Sequence, residues 1–147
     1  MNNKLVDSMK SVLVNAFDMY FKAHGMHWNI EGINFNDLHS FFGNLYEELH
    51  DSVDTTAEQI RALDSYVEYG CKEFCNIGSV PASNIFGNKP KEMLSDLLVA
   101  NTIVVSSLNQ AFRMAQQENN QGLMDFLAGR LDTHAKHAWM IKSLMKD

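Results

Sequence analysis

The sequence predicts an all-α protein, a four-helix bundle with a long crossover between the second and third helices. Apolar residues recur at helical spacing in four long stretches, and glycine, proline and asparagine punctuate the gaps between them. The gap lengths are a further observation, because two gaps are short and the middle one is long. With 147 residues, 46% of them hydrophobic, we expect a single domain over residues 1–147 with a sizeable core.

The first two helices are predicted to be joined by a short connection. Apolar residues recur from Leu5 to Phe21, and this first pattern ends within residues 25–31. The second pattern begins within residues 34–37 and fades after Leu63. At a rise of about 1.5 Å per residue, a helix of that length is on the order of 40 Å long.

The crossover is predicted at residues 64–90, where the helical pattern loosens and glycine or proline recurs after Tyr69. Pro90 suits the first turn of the third helix, because its missing N–H would be unpaired there in any residue. The third pattern then continues to Ala115, and the fourth begins at Leu123 and reaches the C-terminus. A short helix is expected inside the crossover, and this connectivity is ferritin-like.

Charge and hydropathy exclude several classes of function. The formal net charge is −6, so the molecule should repel nucleic acid and anionic membranes, and direct DNA binding is not expected. No run of 18 apolar residues occurs, and the N-terminal residues lack the apolar core of a signal peptide. We therefore expect a soluble, cytoplasmic protein without a membrane partner.

The two cysteines, Cys71 and Cys75, lie four residues apart and share a face if this segment is helical. One interpretation is a redox or metal-binding pair. The favoured one is two small, half-buried residues in a reducing compartment, because neither Cys-x-x-Cys nor a second pair is present.

The other ionisable residues give weaker signals. A di-iron site inside one bundle needs two Glu-x-x-His motifs, and this chain has one, Glu47 to His50. We therefore expect no such site within one subunit, and we interpret Glu47 and His50 as surface or interface residues. Hydrogen-bonded or surface positions are the default for three further histidines, His24, His134 and His137.

A better metal-site candidate lies along the second helix. Asp54 and Glu58 are four residues apart, so both carboxylates share one face, although such pairs are common on solvated helices. His39 lies roughly 60° from Asp54 and roughly 100° from Glu58 around the helix, yet His39 and Asp54 are on the order of 22 Å apart along it. A two-fold axis that packs this helix antiparallel against its copy would bring them together and create two equivalent sites. His27 would join from the end of the first helix.

One region of the sequence also carries a family pattern. The segments HWNIEGINFNDLH and DSVDTTAEQIRAL resemble the Dps proteins, small ferritin relatives of starved bacteria. The pattern falls on His27, Trp28, Asn29, Gly32, Phe35, Leu38, His39, Asp54 and Glu58. Gln59 stands where the family usually has arginine, and THAKHAWMIKSL is similar to the family's last helix.

The resemblance implies a hollow homo-oligomeric shell, a dodecamer built from two-fold dimers, with iron bound at intersubunit ferroxidase centres. The ligands it implies come from two subunits, His27 and His39 from one, Asp54 and Glu58 from its mate. Iron(II) is oxidised there by hydrogen peroxide or oxygen and stored as ferric mineral, which protects against oxidative damage. Trp28 is either an electron donor or an indole that packs at the dimer interface.

Two departures from the family pattern affect these expectations. Gly43 stands where many relatives have an aspartate that helps to hold iron, so the second iron position should be weak, with Glu47 as the nearest compensating carboxylate. The N-terminal residues 1–10 contain two lysines, whereas DNA-binding relatives often have a lysine-rich tail. By resemblance, Asp125, with Glu118 behind it, is a candidate for an acidic pore that admits iron.

Two other functions stay open at this point. One is a DNA-compacting shell protein with weak or lost ferroxidase activity, which Gly43 favours and the net charge opposes. The other is a helical scaffold that forms dimers and binds no metal.

Overall fold

The computed structural model describes residues 3–83 and 89–147, and these residues form five helices and no strand. In chain order the helices are α1 (Asn3–Asn29), α2 (Phe35–Ala62), α3 (Cys71–Ile77), α4 (Pro90–Gln117) and α5 (Gln121–Met145). The four long helices have the predicted order, and α3 is the short helix expected in the crossover. The prediction of an all-α four-helix bundle with a long crossover is confirmed.

The four long helices pack through apolar faces. Helix α1 contacts α2 and α4, and α4 contacts α5. On α2 the buried positions besides Gly43 recur every three or four residues, which is the spacing of one helical face, at Leu38, Phe42, Leu45, Leu49, Ser52, Thr56 and Ile60. His39, Asp54 and Glu58 fall outside this buried stripe, so the packing of α2 turns them away from the core.

Local sequence explains where the helices begin and turn. Pro90 occupies the first turn of α4, as predicted. The side chain of Asn120 accepts a hydrogen bond from the backbone N–H of Leu123 at 3.1 Å and so caps α5. In the connection between α1 and α2, Gly32 has φ +120°, a conformation that residues with a side chain rarely adopt. This turn sets His27, before it, close to His39, after it.

A buried polar network joins α2, α4 and α5. Arg130 donates to both carboxylate oxygens of Glu48, at 2.6 and 2.9 Å, and His137 donates Nε2–H to Glu48 at 2.7 Å. Arg130 also donates to Nε2 of His134 at 3.2 Å, and Nδ1 of His134 lies 2.7 Å from Oδ1 of Asn101. The Asn101 amide in turn donates to the backbone oxygen of His134. The network satisfies its own members within one chain, so the default interpretation of His134 and His137 as hydrogen-bonded residues is confirmed.

This network shifts two pKa values away from their usual ranges. Burial raises the pKa of Glu48, but hydrogen bonds from His137 and Arg130 outweigh it and bring that pKa to about 2. Burial, with the charge of Arg130, lowers the pKa of His134 to about 3. Glu48 is therefore ionised and His134 neutral at pH 7, which matches their hydrogen-bond roles.

The cysteines differ from the expectation. Cys71 and Cys75 lie on α3 as predicted, but both are exposed rather than half-buried. The physical reason is that α3 is a short helix with no buried residue, so it cannot cover side chains of its own. Among the described residues, no helix is both long and apolar enough to cross a bilayer.

Candidate metal centre

Two histidines form a reciprocal brace between the end of α1 and the start of α2. Nδ1 of His27 lies 2.7 Å from the backbone oxygen of His39, and Nδ1 of His39 lies 2.8 Å from the backbone oxygen of His27. The two rings stack, with centroids 3.7 Å apart and 17° between their planes. The carbonyl of His27 lies in the last turn of α1, where backbone oxygens lack a partner within the helix, so His39 also satisfies this helix end.

The brace fixes which nitrogen of each ring is available. A backbone carbonyl only accepts hydrogen bonds, so each Nδ1 must carry a proton and donate it. In the neutral imidazole the lone pair then lies on Nε2, which is the atom that can bind a metal ion. A backbone carbonyl on the other ring nitrogen is the usual support for a metal-binding histidine. The pair is therefore two oriented nitrogen ligands, the donor type that the sequence predicted here.

Gly43 has a structural role that its place in the sequence pattern does not reveal. A Cβ atom at this position would lie 3.2 Å from both Cε1 and Nδ1 of His27, closer than most such contacts in proteins. His27 reaches the carbonyl of His39, one turn before Gly43 on the same helix, across this bare stretch of backbone. The missing side chain that weakens the expected second iron position thus gives the His27 ring its space.

The two carboxylates lie together on the outer face of α2. Asp54 and Glu58 are both exposed, and the pKa of Glu58 is raised because its protonated form donates a hydrogen bond to Asp54 and because the charge of Asp54 repels the ionised form. Two carboxylates this close repel one another when both are ionised, and a cation bound between them would offset that repulsion. The predicted pairing of these two side chains on one face is therefore present.

The structure does not bring the histidine pair and the carboxylate pair together within one chain. Helix α2 is continuous from Phe35 to Ala62, so His39 and Asp54 stay on the order of 22 Å apart along its axis. Within residues 3–83 and 89–147, no three histidine, cysteine or acidic side chains converge to hold a metal ion. Each pair offers two ligands on an open surface.

Sequence reasoning missed an aromatic cluster behind the histidine pair. His24 stacks on Tyr46 with ring centroids 3.8 Å apart and 10° between planes, and Tyr46 lies 5.2 Å from His27. On the other side of the His24 ring lies Trp28, with the two ring centroids 4.2 Å apart. Burial, with the charges of His27 and His50, lowers the pKa of His24. Helical spacing could have found the cluster, because His24 precedes His27 by three residues on α1.

The remaining predicted positions are exposed or partly so. Trp28 is 59% exposed in the single chain, and it meets Phe21 edge-on with ring centroids 6.4 Å apart. Asp125 is exposed in the second turn of α5. Glu118 is exposed at the end of α4, and Glu47 and His50 are exposed on α2.

Comparisons with known proteins show the family and the fold of this chain. The ferritin-like domain family matches residues 6–147. The chain is 25% identical over 145 residues to DNA protection during starvation protein 2 of Bacillus anthracis, and 27% identical over 146 residues to general stress protein 20U of Bacillus subtilis. Both matches cover 99% of each chain. A solved structure of Dps from Staphylococcus aureus, 27% identical, has a TM-score of 0.91 and covers 99% of this chain and 97% of that one. The chain therefore belongs to the ferritin-like family, and the resemblance to Dps proteins is confirmed.

Proposed function

We propose that this protein oxidises iron(II) with hydrogen peroxide or oxygen at intersubunit sites and stores the ferric product inside a hollow shell. Membership of the ferritin-like family supports iron storage and stress protection as the general role. The relatives named for DNA protection during starvation and for general stress agree with it. The specific reaction and its ligands are the proposal.

The main support for an intersubunit site is that two incomplete pairs of ligands lie far apart along the same face of one helix. His39, with His27 beside it, lies near the start of α2, and Asp54 and Glu58 lie about four turns further on. Antiparallel packing of α2 against a second α2 brings the start of one helix beside the later turns of the other. Two copies then complete two equivalent sites, each with two imidazoles and two carboxylates.

Exposed apolar side chains around the histidine pair support a partner at this surface. Phe35, 41% exposed, stacks on His39 with ring centroids 4.9 Å apart. Trp28 is 59% and Phe21 55% exposed, and Ile33 in the connecting turn is fully exposed. Apolar residues grouped in this way mark a surface that another protein covers. A second copy of the chain would bury them and also supply the missing carboxylates.

The ligand set suits the proposed chemistry. Imidazole and carboxylate both bind iron, and a site with few protein ligands leaves room for water and oxidant. Two iron(II) ions and one hydrogen peroxide, with two protons, give two iron(III) ions and two water molecules. The charges of Asp54 and Glu58 stabilise iron(III) more than iron(II), so they favour oxidation. Trp28, close to His27 in sequence, is the candidate donor of a further electron.

The storage part of the proposal requires a closed assembly. We expect a dodecamer built from two-fold dimers, with iron entering through acidic pores near Asp125. Light scattering should give the mass of a dodecamer. A monomer or an isolated dimer would contradict the storage part.

The reaction is tested by adding iron(II) without oxygen, then hydrogen peroxide, and following the absorbance of the ferric product. The test variant is His39→Ala/Asp54→Ala, which removes one ligand from each half of every site. We expect its initial rate to fall at least about hundredfold, because second-shell changes alone often cost tenfold to hundredfold.

A matched variant controls for general effects on the helix. Asp37 and Asn44 are exposed on α2, about 140 to 160° around the helix from His39. The variant Asp37→Ala/Asn44→Ala should oxidise iron like the wild type. If His39→Ala/Asp54→Ala also keeps the wild-type rate, the proposed ferroxidase site is wrong.

A further inference from the structure

A second group of ligand-type side chains lines a cavity of about 320 Å³ between α1 and α2. Helix α1 contributes Tyr20 and His24, and α2 contributes Tyr46, Glu47, His50 and Asp51. It adjoins the histidine brace, because His24 and Tyr46 stack on one another and Tyr46 touches His27. The cavity is thus a polar site next to the proposed iron site. Glu47, which the sequence suggested as a compensating iron ligand, lies about 12 Å beyond His39 along α2, so we assign it to this cavity and not to the iron site.

Apart from Nδ1 of His24, which the hydroxyl of Tyr20 contacts, the side chains of this cavity that could bind a metal ion are uncommitted. The hydroxyl of Tyr20 lies 2.9 Å from Nδ1 of His24, and the ring of Tyr20 lies 5.0 Å from that of His50. Glu47, His50 and Asp51 are exposed. In the part of the chain that the structure describes, the carboxylates of Glu47 and Asp51 make no hydrogen bond or ion pair. Two imidazoles and two carboxylates therefore face one cavity without partners of opposite charge.

The position of the cavity along α2 would place it close to the two-fold axis of a dimer. This step rests on the antiparallel α2 pairing of the proposed function. The midpoint between His39 and Asp54 falls between residues 46 and 47, and that between His39 and Glu58 falls between residues 48 and 49. The two-fold axis therefore crosses α2 beside Glu47, and His50 is about 2 to 5 Å from the axis along the helix.

Glu47 and His50 also lie on the face that meets the second copy. Around α2, His50 is roughly 20° and Glu47 roughly 80° from His39, so both lie within the arc that runs from His39 to Glu58. Each copy therefore presents its Glu47 and His50 to the partner's Glu47 and the partner's His50. We propose that these four side chains form a second divalent-metal site on the two-fold axis, midway between the two iron sites.

Charge and donor type indicate what this site takes. The two copies together contribute four carboxylates, one from each Glu47 and one from each Asp51. Their mutual repulsion in a partly buried interface would be offset by a bound cation. Two imidazoles and two carboxylates suit Zn²⁺, Co²⁺ or Fe²⁺ better than Mg²⁺ or Ca²⁺. Although several such side chains line the cavity, no three of them converge on a metal ion within the described residues of one chain, so the proposed site requires ligands from both copies.

The test is a Zn²⁺ titration of the iron-free assembled protein, followed by calorimetry. Two iron sites and one axial site give about three Zn²⁺ per pair of chains. Glu47→Gln/His50→Gln should bind about two, because it removes the axial site alone. His27→Ala/His39→Ala should bind about one, because it removes both iron sites. Both Glu47 and His50 are exposed, so their replacement does not disturb the core.

The two variants separate this inference from the proposed function. If Glu47→Gln/His50→Gln binds as many Zn²⁺ ions as the wild type while His27→Ala/His39→Ala loses two, the axial site is wrong and the iron sites stand. If only Glu47→Gln/His50→Gln loses an ion, the axial site stands and the proposed iron ligands are wrong. If neither variant loses ions, both are wrong. Asp7→Asn, an exposed charge removed from α1, is the control and should bind like the wild type.

Discussion

Two histidine pairs in this molecule have opposite surroundings. His134 and His137 lie inside the bundle, 1% and 7% exposed, and Asn101, Arg130 and Glu48 complete their hydrogen bonds within one chain. His27 and His39 lie at the joint of α1 and α2, where they hold one another through Nδ1. Their Nε2 atoms stay available.

Under the proposed function, the difference separates residues that stabilise the fold from residues that bind iron. Inside the bundle an unpaired polar group would cost stability, so Arg130 and His137 bind Glu48 while Arg130 and Asn101 bind His134. At the surface the hydrogen bonds between His27 and His39 engage only the Nδ1 atoms, which orient the two rings. Changes in the closed network should therefore alter folding, and changes in the open region should alter iron chemistry.

The largest expected effect concerns the carboxylates of the open region. Asp54→Asn/Glu58→Gln keeps the side-chain shapes and removes both charges, so we expect the rate of iron(II) oxidation by peroxide to fall about hundredfold. Thermal stability should not fall, because the variant also removes the repulsion that raises the pKa of Glu58. Stopped-flow absorbance and a thermal melt check the two parts. A rate within about twofold of wild type would contradict the assigned ligands.

The closed network should respond in the opposite way. Arg130→Met leaves the carboxylate of Glu48 without its bidentate partner, and we expect the free energy of unfolding to fall by about 2 kcal/mol. This value is below the usual range for a buried pair, because the Glu48 side chain is 35% exposed and water screens part of its charge. Urea unfolding at fixed protein concentration measures it. Glu48→Gln/Arg130→Met should recover part of the loss, and an unchanged midpoint in Arg130→Met would contradict the role given to the network.

Acid should act through the same network. The pKa of His134 falls from 6.5 to about 3 on folding. Between these values His134 is protonated in the unfolded chain and neutral in the folded chain. Stability from this residue is therefore present above pH 6.5 and lost as pH falls towards 3, by about 2 kcal/mol between pH 6.5 and 5. The lowered pKa of Glu48 adds a second loss below pH 4.5. Urea midpoints across this range should fall in the wild type and stay flatter above pH 5 in His134→Gln.

The smallest expected effect is at Gly43. Gly43→Ala places a methyl group 3.2 Å from the ring of His27 and displaces it, so iron affinity should fall about tenfold. Stability should change little, because the gain in helix propensity of about 1 kcal/mol offsets the tight contact. Gly43→Asp makes the same contact but adds a carboxylate, so it should bind more iron than Gly43→Ala in an equilibrium titration. Equal iron binding by both variants would mean that position 43 contributes no ligand.

The fold and the shared face of Asp54 and Glu58 could be predicted from the sequence because they depend on local spacing, and the assignment of these residues to a metal site stays a prediction. Helical periodicity gave the four long helices, and the positions of His39, Asp54 and Glu58 around one helix indicated a site shared between copies. The closed network was not predictable, since Glu48 and Arg130 are 82 residues apart and periodicity does not say which polar residues meet. The contact of Gly43 with His27 also depends on how closely α1 and α2 approach.

The exposure of the two cysteines is a second property that the sequence pattern could not predict. The four-residue spacing of Cys71 and Cys75 placed them on one helix, and the structure contains that helix. Their exposure depends on what packs against α3, and α3 contacts little besides α1. Burial is a property of the neighbours, so a local pattern could not supply it.

The most direct test of the central claim uses subunits with complementary defects. His39→Ala removes a ligand from one half-site and Asp54→Ala from the other, so a mixed pair of these subunits contains one intact site and one that lacks both ligands. In randomly mixed assemblies half of the pairs are mixed, and about a quarter of all sites are intact. We predict that the co-assembled variants oxidise iron(II) at about a quarter of the wild-type rate, while each variant alone is almost inactive. A mixture no faster than the separate variants would contradict a site shared between two chains.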